Sequence, residues 1–547
     1  MQNSKKNYFE IACISVLFTS IVATPWVNSD SLIIPKLIII FCTALYMLPQ
    51  VIVARMKLSS TRFSKTFTYL IILFILQLVF VLVVSDAPIE QQFYGRSGRG
   101  LGFAFEFSLL IILLISFIYS EREKLRFILS VLVISCSIST VYSILQRFNL
   151  DVFEWNTRTN GIIGTLGNPN FQSSFAAMAL IPAATFLYNK KFGYIYSVIL
   201  ATPLIGVVYI AQSTQGYILI ATSVLVFLSL YFWYRVKIIS ILLILTSVIG
   251  GVITVLGMIN KGPLSPILYK ISVQSRSEMY DTAIRIAGDN PFFGVGLDSL
   301  GDYYFMYRTE ASAKGIGEYV DNVHNVFLNY AANGGIPLAL IYFLITLMTL
   351  YSFYTIQKKN KTFDLTITAL FCAWLNYQLQ SLISPTNIAM AAWNTLISGA
   401  VIGIANSNES NKEFLFNLRK KSILAKPFGY LMLIIGLILV YPYYKVDQEQ
   451  LKSAKTGDAL LAINSAKSFP ESTVRYTRIG QELLNSKLEP QALEIARAAV
   501  EFNPNSVSGW SLILINNSAP RSDRINAYEE LIRLDPHNQM LKNVSIP

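Results

Sequence analysis

Charged residues are scarce in this chain of 547 residues. They make up 14% of it, whereas 53% is hydrophobic and the mean hydropathy is +0.48. A soluble globular domain of this length does not need so apolar a composition to fill its core. Several apolar runs approach or reach the ~20 residues that a helix needs to cross a bilayer. The composition therefore predicts an all-α, polytopic transmembrane helical bundle.

Histidine and cysteine are also scarce, with two histidines and four cysteines in the whole chain. All four cysteines lie inside apolar segments, so we interpret them as small buried hydrophobic residues and not as disulfide partners or metal ligands. The sequence contains no phosphate-binding loop, no Cys or His spacing typical of a metal site and no convincing serine-histidine-acid set. We therefore expect no metal, no cofactor and no nucleotide as the energy source.

The basic residues give the chain a net charge of +12, but they fall in short clusters between apolar segments and do not form one basic face. We therefore expect no nucleic acid partner. The clusters recur in alternate loops, which the positive-inside rule places in the cytoplasm together with the amino terminus. The first apolar segment lacks a small-residue cleavage pattern, so we expect a retained helix and not a signal peptide.

The apolar runs predict about 13 membrane spans by the ~20-residue criterion. They cover roughly residues 8–27, 31–53, 66–85, 102–119, 126–147, 171–188, 193–212, 216–234, 237–259, 334–356, 364–384, 387–405 and 427–444. The positive charges then place five loops on the outer side: 86–101, 148–170, 212–216, 260–333 and 384–387. We thus predict a transmembrane domain, 1–444, with a large outer loop at 260–333, and an extracytoplasmic helical domain, 445–547.

The polar segment 445–547 contains an internal repeat. Its helical stretches end at Pro470, Pro504 and Pro536, which are 34 and 32 residues apart. These spacings are close to the 34-residue tetratricopeptide period. Two interpretations stay open for this segment, an unspecialised helical cap or a docking module for a protein or glycan partner.

The two histidines have different settings. His537 lies in a Pro-Asn turn of the terminal repeat, where we expect a surface role. His324 lies where the polar outer loop meets an apolar helix. An imidazole there is hydrated enough to titrate and near enough to the bilayer to reach a lipid-linked substrate, which suits a general base. The alternative is that His324 caps the helix or binds an interfacial carbonyl group.

Arginines in the outer loops are the candidates for binding an anion. Arg276 and Arg285 lie in the large loop, and Arg96 and Arg99 lie in a glycine-rich loop at 94–100. Guanidinium groups bind phosphate and diphosphate bidentately, and glycines let backbone amides approach an anion. We interpret four further cations of the large loop as ordinary solvated residues: Lys261, Lys270, Arg308 and Lys314.

A Gly/Asn/Pro turn at 164–171 opens into a helix. Asn170 can cap that helix, and the exposed amides of its first turn can hold an anionic or sugar group. Local chemistry alone favours the cap.

Four motifs in this chain occur together in a recognisable order. They are Gly167-Asn168-Pro169-Asn170-Phe171; Arg276 ahead of Tyr280 and Ala283; Asn290-Pro291-Phe292-Phe293-Gly294-Val295-Gly296; and His324-Asn325-Val326-Phe327-Leu328, followed by Gly334-Gly335-Ile336-Pro337. Together they resemble the O-antigen ligase and polymerase superfamily, membrane glycosyltransferases of the GT-C type that act on polyprenyl-diphosphate-linked glycans. The resemblance covers roughly residues 30–405, and the terminal repeats resemble those appended in some family members.

The resemblance implies that His324 helps to activate an acceptor hydroxyl and that Arg276 contacts the diphosphate of the lipid donor. Glycan would move from the carrier to an acceptor at the outer face of the bacterial cytoplasmic membrane. Arginines can stabilise a departing diphosphate without a metal. The acceptor stays open: a second lipid-linked glycan, a lipid-anchored core or a protein side chain.

The chain departs from the family at one position. Family members often have an arginine in a Thr/Ser-Arg-Gly motif, whereas this chain has Gln215 followed by Gly216. Because the Gln215 amide carries no charge, the diphosphate would depend on Arg276 together with other arginines. The predicted substrate-binding residues are therefore Arg96, Arg99, Asn168, Asn170, Gln215, Arg285 and Asn325.

Two other classes of protein remain as alternatives. A transporter or flippase of a lipid-linked glycan would also use about 13 helices, but it should concentrate polar residues within its spans. A structural scaffold for the terminal repeats would leave the loop arginines unexplained. The spans here are nearly free of charge and the polar residues lie in the outer loops, which favours glycan transfer.

Overall fold

The computed structural model describes residues 8–54, 61–151, 153, 155, 162–186, 192–315, 320–360, 362–406, 411–539 and 541. Within these ranges all regular secondary structure is helical, which confirms the predicted all-α class. The helices of the first half are α1 (Tyr8–Ile21), α2 (Ile33–Val53), α3 (Arg62–Val84), α4 (Ile89–Tyr94), α5 (Phe103–Tyr119), α6 (Lys124–Arg147), α7 (Pro169–Phe186), α8 (Gly193–Ile210), α9 (Thr214–Trp233) and α10 (Lys237–Met258).

The large loop and the second half contain thirteen more helices among the described residues. The loop contains α11 (Ser265–Leu268), α12 (Ile271–Asp289), α13 (Leu300–Tyr307) and α14 (Glu310–Gly315). The rest are α15 (Val326–Lys359), α16 (Leu365–Ser381), α17 (Ile388–Ala405), α18 (Asn411–Thr456), α19 (Ala459–Ala466), α20 (Thr473–Asn485), α21 (Glu489–Phe502), α22 (Val507–Ile515) and α23 (Arg521–Leu534).

Nine helices in the described ranges are long and apolar enough to cross a membrane, namely α2, α3, α6, α8, α9, α10, α15, α17 and the part of α18 over Ala425–Thr456. Two shorter apolar helices, α1 and α5, match further predicted spans. The two remaining predicted spans, 171–188 and 364–384, overlap α7 and α16. The chain is therefore a multi-pass helical membrane protein, whereas the total of thirteen spans stays a prediction.

Helix α10 lies at the edge of the bundle. It buries only Ser240 and Gly257, and it exposes apolar side chains such as Ile238, Leu242 and Val248. A helix that is apolar all round and has so few protein contacts is suited to face lipid. Lipid therefore reaches the side of the bundle from which the large outer loop starts.

The segment between α10 and α15, which the sequence predicts to be the large outer loop, is folded around a small core of its own. Ala283 and Ile286 of α12 pack with Leu300 and Tyr304 of α13 and with Val323. Because these side chains leave water together, the loop has a defined structure that can hold side chains in a fixed geometry.

A kink in α15 closes this loop. Gly335 has φ 80° and ψ 166° inside the helix, a conformation that is essentially restricted to glycine. The backbone at Gly335 packs closely against Phe292, because a Cβ atom on Gly335 would lie 2.5 Å from the carbonyl group of Phe292. The amides of Val295 and Gly296 donate to carbonyl oxygens of the last turn before the kink at 2.9 and 3.1 Å. Two of the sequence motifs thus meet, and the end of the predicted loop, 326–333, is helical.

Five helices, α19 to α23, follow the last long helix and are called the C-terminal module below. Helices α20 and α22 start 34 residues apart, at Thr473 and Val507, and each is followed by an antiparallel partner, α21 or α23. This arrangement of helical hairpins fits the repeat seen in the sequence, while the tetratricopeptide assignment stays a prediction. The predicted domain boundary at 444 falls inside α18, which continues to Thr456.

Candidate active site

His324 lies directly before α15 and has a φ of 55°. This left-handed conformation is uncommon for a residue other than glycine, although histidine adopts it more readily than most. The Nδ1 atom lies 3.2 Å from the carbonyl oxygen of Asn322. Because a carbonyl oxygen can only accept, the neutral ring carries its proton on Nδ1 and its lone pair on Nε2. Within the described ranges Nε2 has no hydrogen-bond partner, so it is available as a base.

The helix cap that the sequence offered as an alternative role for His324 belongs to Asn325. The Oδ1 atom of Asn325 accepts from the amide of Leu328 at 3.1 Å. Its Nδ2 atom donates to the carbonyl oxygen of Leu382 at 3.1 Å, and the Tyr280 hydroxyl donates to the same oxygen at 2.9 Å. These contacts fix the loop against the outer end of α16. The predicted contact of Asn325 with substrate stays a prediction.

Burial and positive charge lower the pKa of His324 to about 4. Burial is the largest cause, and the charges of Arg276 and Arg99 act in the same direction. The contact with Asn322 and the charge of Asp321 act in the opposite direction. The imidazole is therefore neutral at pH 7, which is the form that a general base requires.

Arg276 lies one helical turn before Tyr280 and lines a cavity of about 150 Å³. The polar residues that line the cavity are Asn170, Gln212, Ser213, Thr214, Gln215, Lys270 and Arg276, and the apolar ones include Ile218, Met258, Ile267 and Leu268. Two of the lining residues are cationic, Arg276 and Lys270, and none of those that the structure describes is acidic. The lining thus combines an uncompensated positive charge with a hydrocarbon surface.

Three helices begin at this cavity. Asn170 is the second residue of α7, Gln215 is the second residue of α9, and Lys270 directly precedes α12. The hydroxyl of Ser213 donates to Oδ1 of Asn170 at 2.8 Å, and the ammonium of Lys270 lies 3.4 Å from Oγ1 of Thr214. Helix amino termini present unpaired amides and a partial positive charge. Their convergence adds to the attraction of the cavity for an anion.

Gln215 contributes an unused hydrogen-bond donor. Its side chain is 8% exposed, and Oε1 accepts from the Ser384 hydroxyl at 3.0 Å. The Nε2 atom is buried and has no partner among the described residues. A buried donor without an acceptor costs free energy, and an oxygen of a ligand in the cavity would remove that cost.

The start of α7 differs from the sequence prediction. Oδ1 of Asn168 accepts from the amide of Asn170 at 2.8 Å, so Asn168 is the capping residue and the prediction that Asn170 caps the helix is wrong. Asn170 lines the cavity, whereas Asn168 is not among the lining residues. The proline between them leaves no free amide at the first helical position, and this favours Asn168 as the cap.

The glycine-rich turn around Arg96 binds an anionic group of the protein itself, the carboxylate of Asp298. The amides of Arg96 and Leu101 donate to one carboxylate oxygen of Asp298 at 2.7 and 3.0 Å. The Arg96 guanidinium is 4% exposed and forms an ion pair with Asp302 at 2.7 Å. Its predicted contact with substrate is not tested, and its charge is already matched by a carboxylate.

Arg99 and Arg285 also face acidic residues. Arg99 forms two hydrogen bonds with Asp321, at 3.0 and 2.8 Å, three residues before His324. Arg285 forms a solvent-exposed pair with Asp281 on the surface of α12 at 3.0 Å. Arg99 therefore lies close to His324, whereas Arg285 lies outside the cavity lining. Their predicted roles in substrate binding stay predictions.

Arg308 was interpreted wrongly from the sequence as an ordinary solvated residue, because it is 6% exposed and paired with Asp535. Lys270 is exposed, as expected, but it also lines the cavity, which the sequence did not predict. Lys270 directly precedes α12, which starts at Ile271. The sequence of the loop shows no clear helical period, so this helix start was not predicted. Within the ranges described, no three His, Cys, Asp or Glu side chains are grouped closely enough to hold a metal ion.

Residues 195–343 match the family model described as O-antigen ligase. This part of the chain is similar to the O-antigen ligase family. The match starts in α8 and ends in α15, so the matched residues include Gln215, Lys270, Arg276 and His324. The resemblance to the O-antigen ligase and polymerase superfamily is thereby confirmed, and with it a general role in glycan transfer. A comparison with curated proteins gave no match.

Proposed function

We propose that the protein transfers glycan from a polyprenyl-diphosphate carrier to an acceptor hydroxyl at the outer face of the bacterial cytoplasmic membrane. The observation that carries the proposal is a cavity lined by Arg276 and Lys270, which form no ion pair among the described residues. His324 is not one of the lining residues, but it lies close enough to Arg276 for that charge to lower the pKa of its imidazole. A diphosphate attached to a sugar needs both groups in one place, a cationic site for the leaving group and a base for the incoming hydroxyl.

The polar and the apolar lining residues suit the two halves of such a donor. Diphosphate oxygens fit Arg276, Lys270 and the Gln215 amide, which supply donors and positive charge. The prenyl chain fits Met258 and Ile267, next to the lipid-facing helix α10. A soluble phosphate donor would have no use for these apolar residues.

The proposed reaction is a single displacement. The acceptor oxygen forms a bond with the anomeric carbon while the bond from that carbon to the diphosphate oxygen breaks. The electron pair of the broken bond leaves with polyprenyl diphosphate, and the hydroxyl proton moves to Nε2 of His324. Arg276 and Lys270 stabilise the charge that develops on the leaving group. The proton then passes from His324 to water and restores the base.

Lys270 supplies the charge that Gln215 lacks. Its ammonium reaches the first turn of α9, where Thr214 is 3.4 Å away and Gln215 is the next residue. A lysine is a mobile point charge and not a planar fork, so it can follow a diphosphate whose charge changes during the reaction. The Gln215 amide adds a neutral donor at the same place.

Release of polyprenyl diphosphate tests the proposal. The purified protein, reconstituted in lipid with a polyprenyl-diphosphate glycan and a panel of acceptors, should release the carrier only when an acceptor is present. The panel should contain a second lipid-linked glycan, a lipid-anchored core and a protein. His324→Ala and Arg276→Ala should each lower the rate at least about 100-fold. The matched controls Lys261→Ala and Arg521→Ala alter exposed cations outside the cavity and should keep the parent rate.

Other outcomes point to other functions. Movement of the intact donor across the membrane without release of polyprenyl diphosphate would assign the protein to transport. Transfer at the parent rate by both His324→Ala and Arg276→Ala would contradict the proposed roles of these residues.

A further inference from the structure

The C-terminal module is connected to the outer loop by a buried ion pair. Arg308, directly after α13, donates to both carboxylate oxygens of Asp535, directly after α23, at 3.0 and 2.7 Å. The two side chains are 6% and 2% exposed, and the guanidinium lies 4.7 Å from the ring centre of Phe305. Removing one partner from such a pair leaves an uncompensated buried charge. The module is therefore held firmly against α13.

A second contact between the module and the loop is formed by polar side chains. The Thr473 hydroxyl, at the start of α20, lies 3.5 Å from Oε1 of Gln91 and accepts from Nδ2 of Asn503 at 3.1 Å. Gln91 in turn donates through Nε2 to Ser299 at 3.1 Å and to Asp302 at 2.8 Å. All five side chains are buried, so each hydrogen bond is protected from water.

From Asp302 the contacts continue to the loop that carries the base. Asp302 forms an ion pair with Arg96, at the start of the glycine-rich turn. Arg99, three residues further along this turn, holds Asp321 with two hydrogen bonds, and Asp321 lies three residues before His324. A series of polar contacts, buried from Thr473 to Arg96 and half-buried at Arg99 and Asp321, thus joins the C-terminal module to the backbone next to His324.

We propose that the C-terminal module positions His324, with Thr473, Gln91 and the Arg308–Asp535 pair as the positioning residues. This inference rests on the proposed function, because it assumes that His324 is the base. The sequence left two interpretations of the module open, an unspecialised helical cap or a docking module. The proposed positioning role is more specific than either of them.

The donor cavity does not take part in these contacts. Lys270, Gln215 and Arg276 are absent from the hydrogen bonds that lead from Thr473 to Asp321. Loss of the contacts should therefore displace His324 relative to a donor that is still bound. A misplacement of about 1 Å can cost up to about 100-fold in rate.

The central test compares Thr473→Val with Thr473→Ser. Valine keeps the volume of threonine and removes the hydroxyl, whereas serine keeps the hydroxyl. We expect the valine variant to lower kcat at least about tenfold and the serine variant to stay within about threefold of the parent. The Kd for polyprenyl diphosphate, measured in lipid nanodiscs without acceptor, should stay within about twofold for both variants.

The ion pair gives a second and independent comparison. Asp535→Ala removes the carboxylate that binds Arg308, and Asp523→Ala removes a carboxylate that binds Arg497 within the same module at 2.6 Å. The second pair is exposed and contacts no part of the outer loop. We expect Asp535→Ala to lower kcat and Asp523→Ala to leave it unchanged.

Three results would overturn the inference: a parent kcat for Thr473→Val, an equal loss for Thr473→Val and Thr473→Ser, or a parallel loss of kcat and of polyprenyl diphosphate binding. The last result would indicate general damage to the fold. If the parent protein releases no polyprenyl diphosphate with any acceptor, the proposed function itself fails. The two failures are therefore distinguishable.

Discussion

Acid should inactivate this enzyme at a much lower pH than an ordinary histidine would allow. The pKa of His324 is lowered to about 4, so the neutral imidazole persists until the pH falls through that value. Activity that needs the neutral form is present above the pKa and is lost below it. Between pH 7.5 and 5.5 an imidazole with the usual pKa of about 6.5 would lose about tenfold of its base form. With a pKa of about 4, the loss is only about 3%.

The assay is kcat/KM for the lipid-linked donor at saturating acceptor between pH 3 and 8, because this ratio reports ionisations of the enzyme before the donor binds. The donor diphosphate is esterified at both ends and does not titrate in this range. Arg99→Gln removes a positive charge that acts on His324, so the acid limb should move to higher pH. Asp321→Asn removes a negative charge, so the limb should move to lower pH. A tenfold fall in the parent with a midpoint near pH 6.5 would refute this reasoning.

The cavity, the kink and the topology give further predictions. Lys270→Ala should raise the donor KM about tenfold, measured by release of polyprenyl diphosphate. Adding Gln215→Arg to this variant should restore the parent KM. No rescue would mean that the two positions do not bind the same anion. Gly335→Ala should lower the melting temperature because its φ and ψ exclude a Cβ atom, whereas Gly206→Ala, which meets nothing within 4 Å, should not. A periplasmic reporter inserted at Gly457, a turn position with open space around it, should be active on the outer side; activity of a cytoplasmic reporter there would overturn the topology.

The sequence predicted most of the fold because the membrane imposes a simple rule. Apolar runs of sufficient length become helices, and each of the predicted spans coincides with a helix in the described ranges. The exceptions are local. Helix α15 starts at Val326 because the Gly335 kink allows a helical segment before the span, and α18 continues to Thr456 because its last turns pack against the rest of the chain.

The candidate site was predicted in part. The structure places Asn170, Gln215 and Arg276 around one cavity. His324 is not among the lining residues, but it is close enough to Arg276 for that charge to lower its pKa. The sequence could not show that Lys270 belongs there, because its neighbours come from helices that are distant along the chain. A pattern of residue types identifies a cation, but it does not identify the group that the cation will face.

Arg96 and Arg308 illustrate this limit. We favoured Arg96 for substrate binding and interpreted Arg308 as solvated, yet both are buried and paired with carboxylates. Their partners, Asp302 and Asp535, are 206 and 227 residues away in the sequence. Only the tertiary structure brings such pairs together, so no local pattern could have identified them.

The pairing of the other loop arginines supports the proposal that the cavity binds a ligand of negative charge. Arg96, Arg99, Arg285 and Arg308 each face a carboxylate, so the protein neutralises them itself. Among the described residues neither Arg276 nor Lys270 forms an ion pair. Their charge is compensated only when an anion enters the cavity. In the proposed reaction the same two charges lower the free energy of a departing diphosphate more than that of the esterified donor, because the leaving group gains negative charge as its bond to the sugar breaks. Arg276 also helps to keep His324 neutral while the cavity is empty. Entry of the donor diphosphate opposes that effect and raises the proton affinity of the imidazole, so the base becomes stronger at the point in the cycle where it must take the acceptor proton.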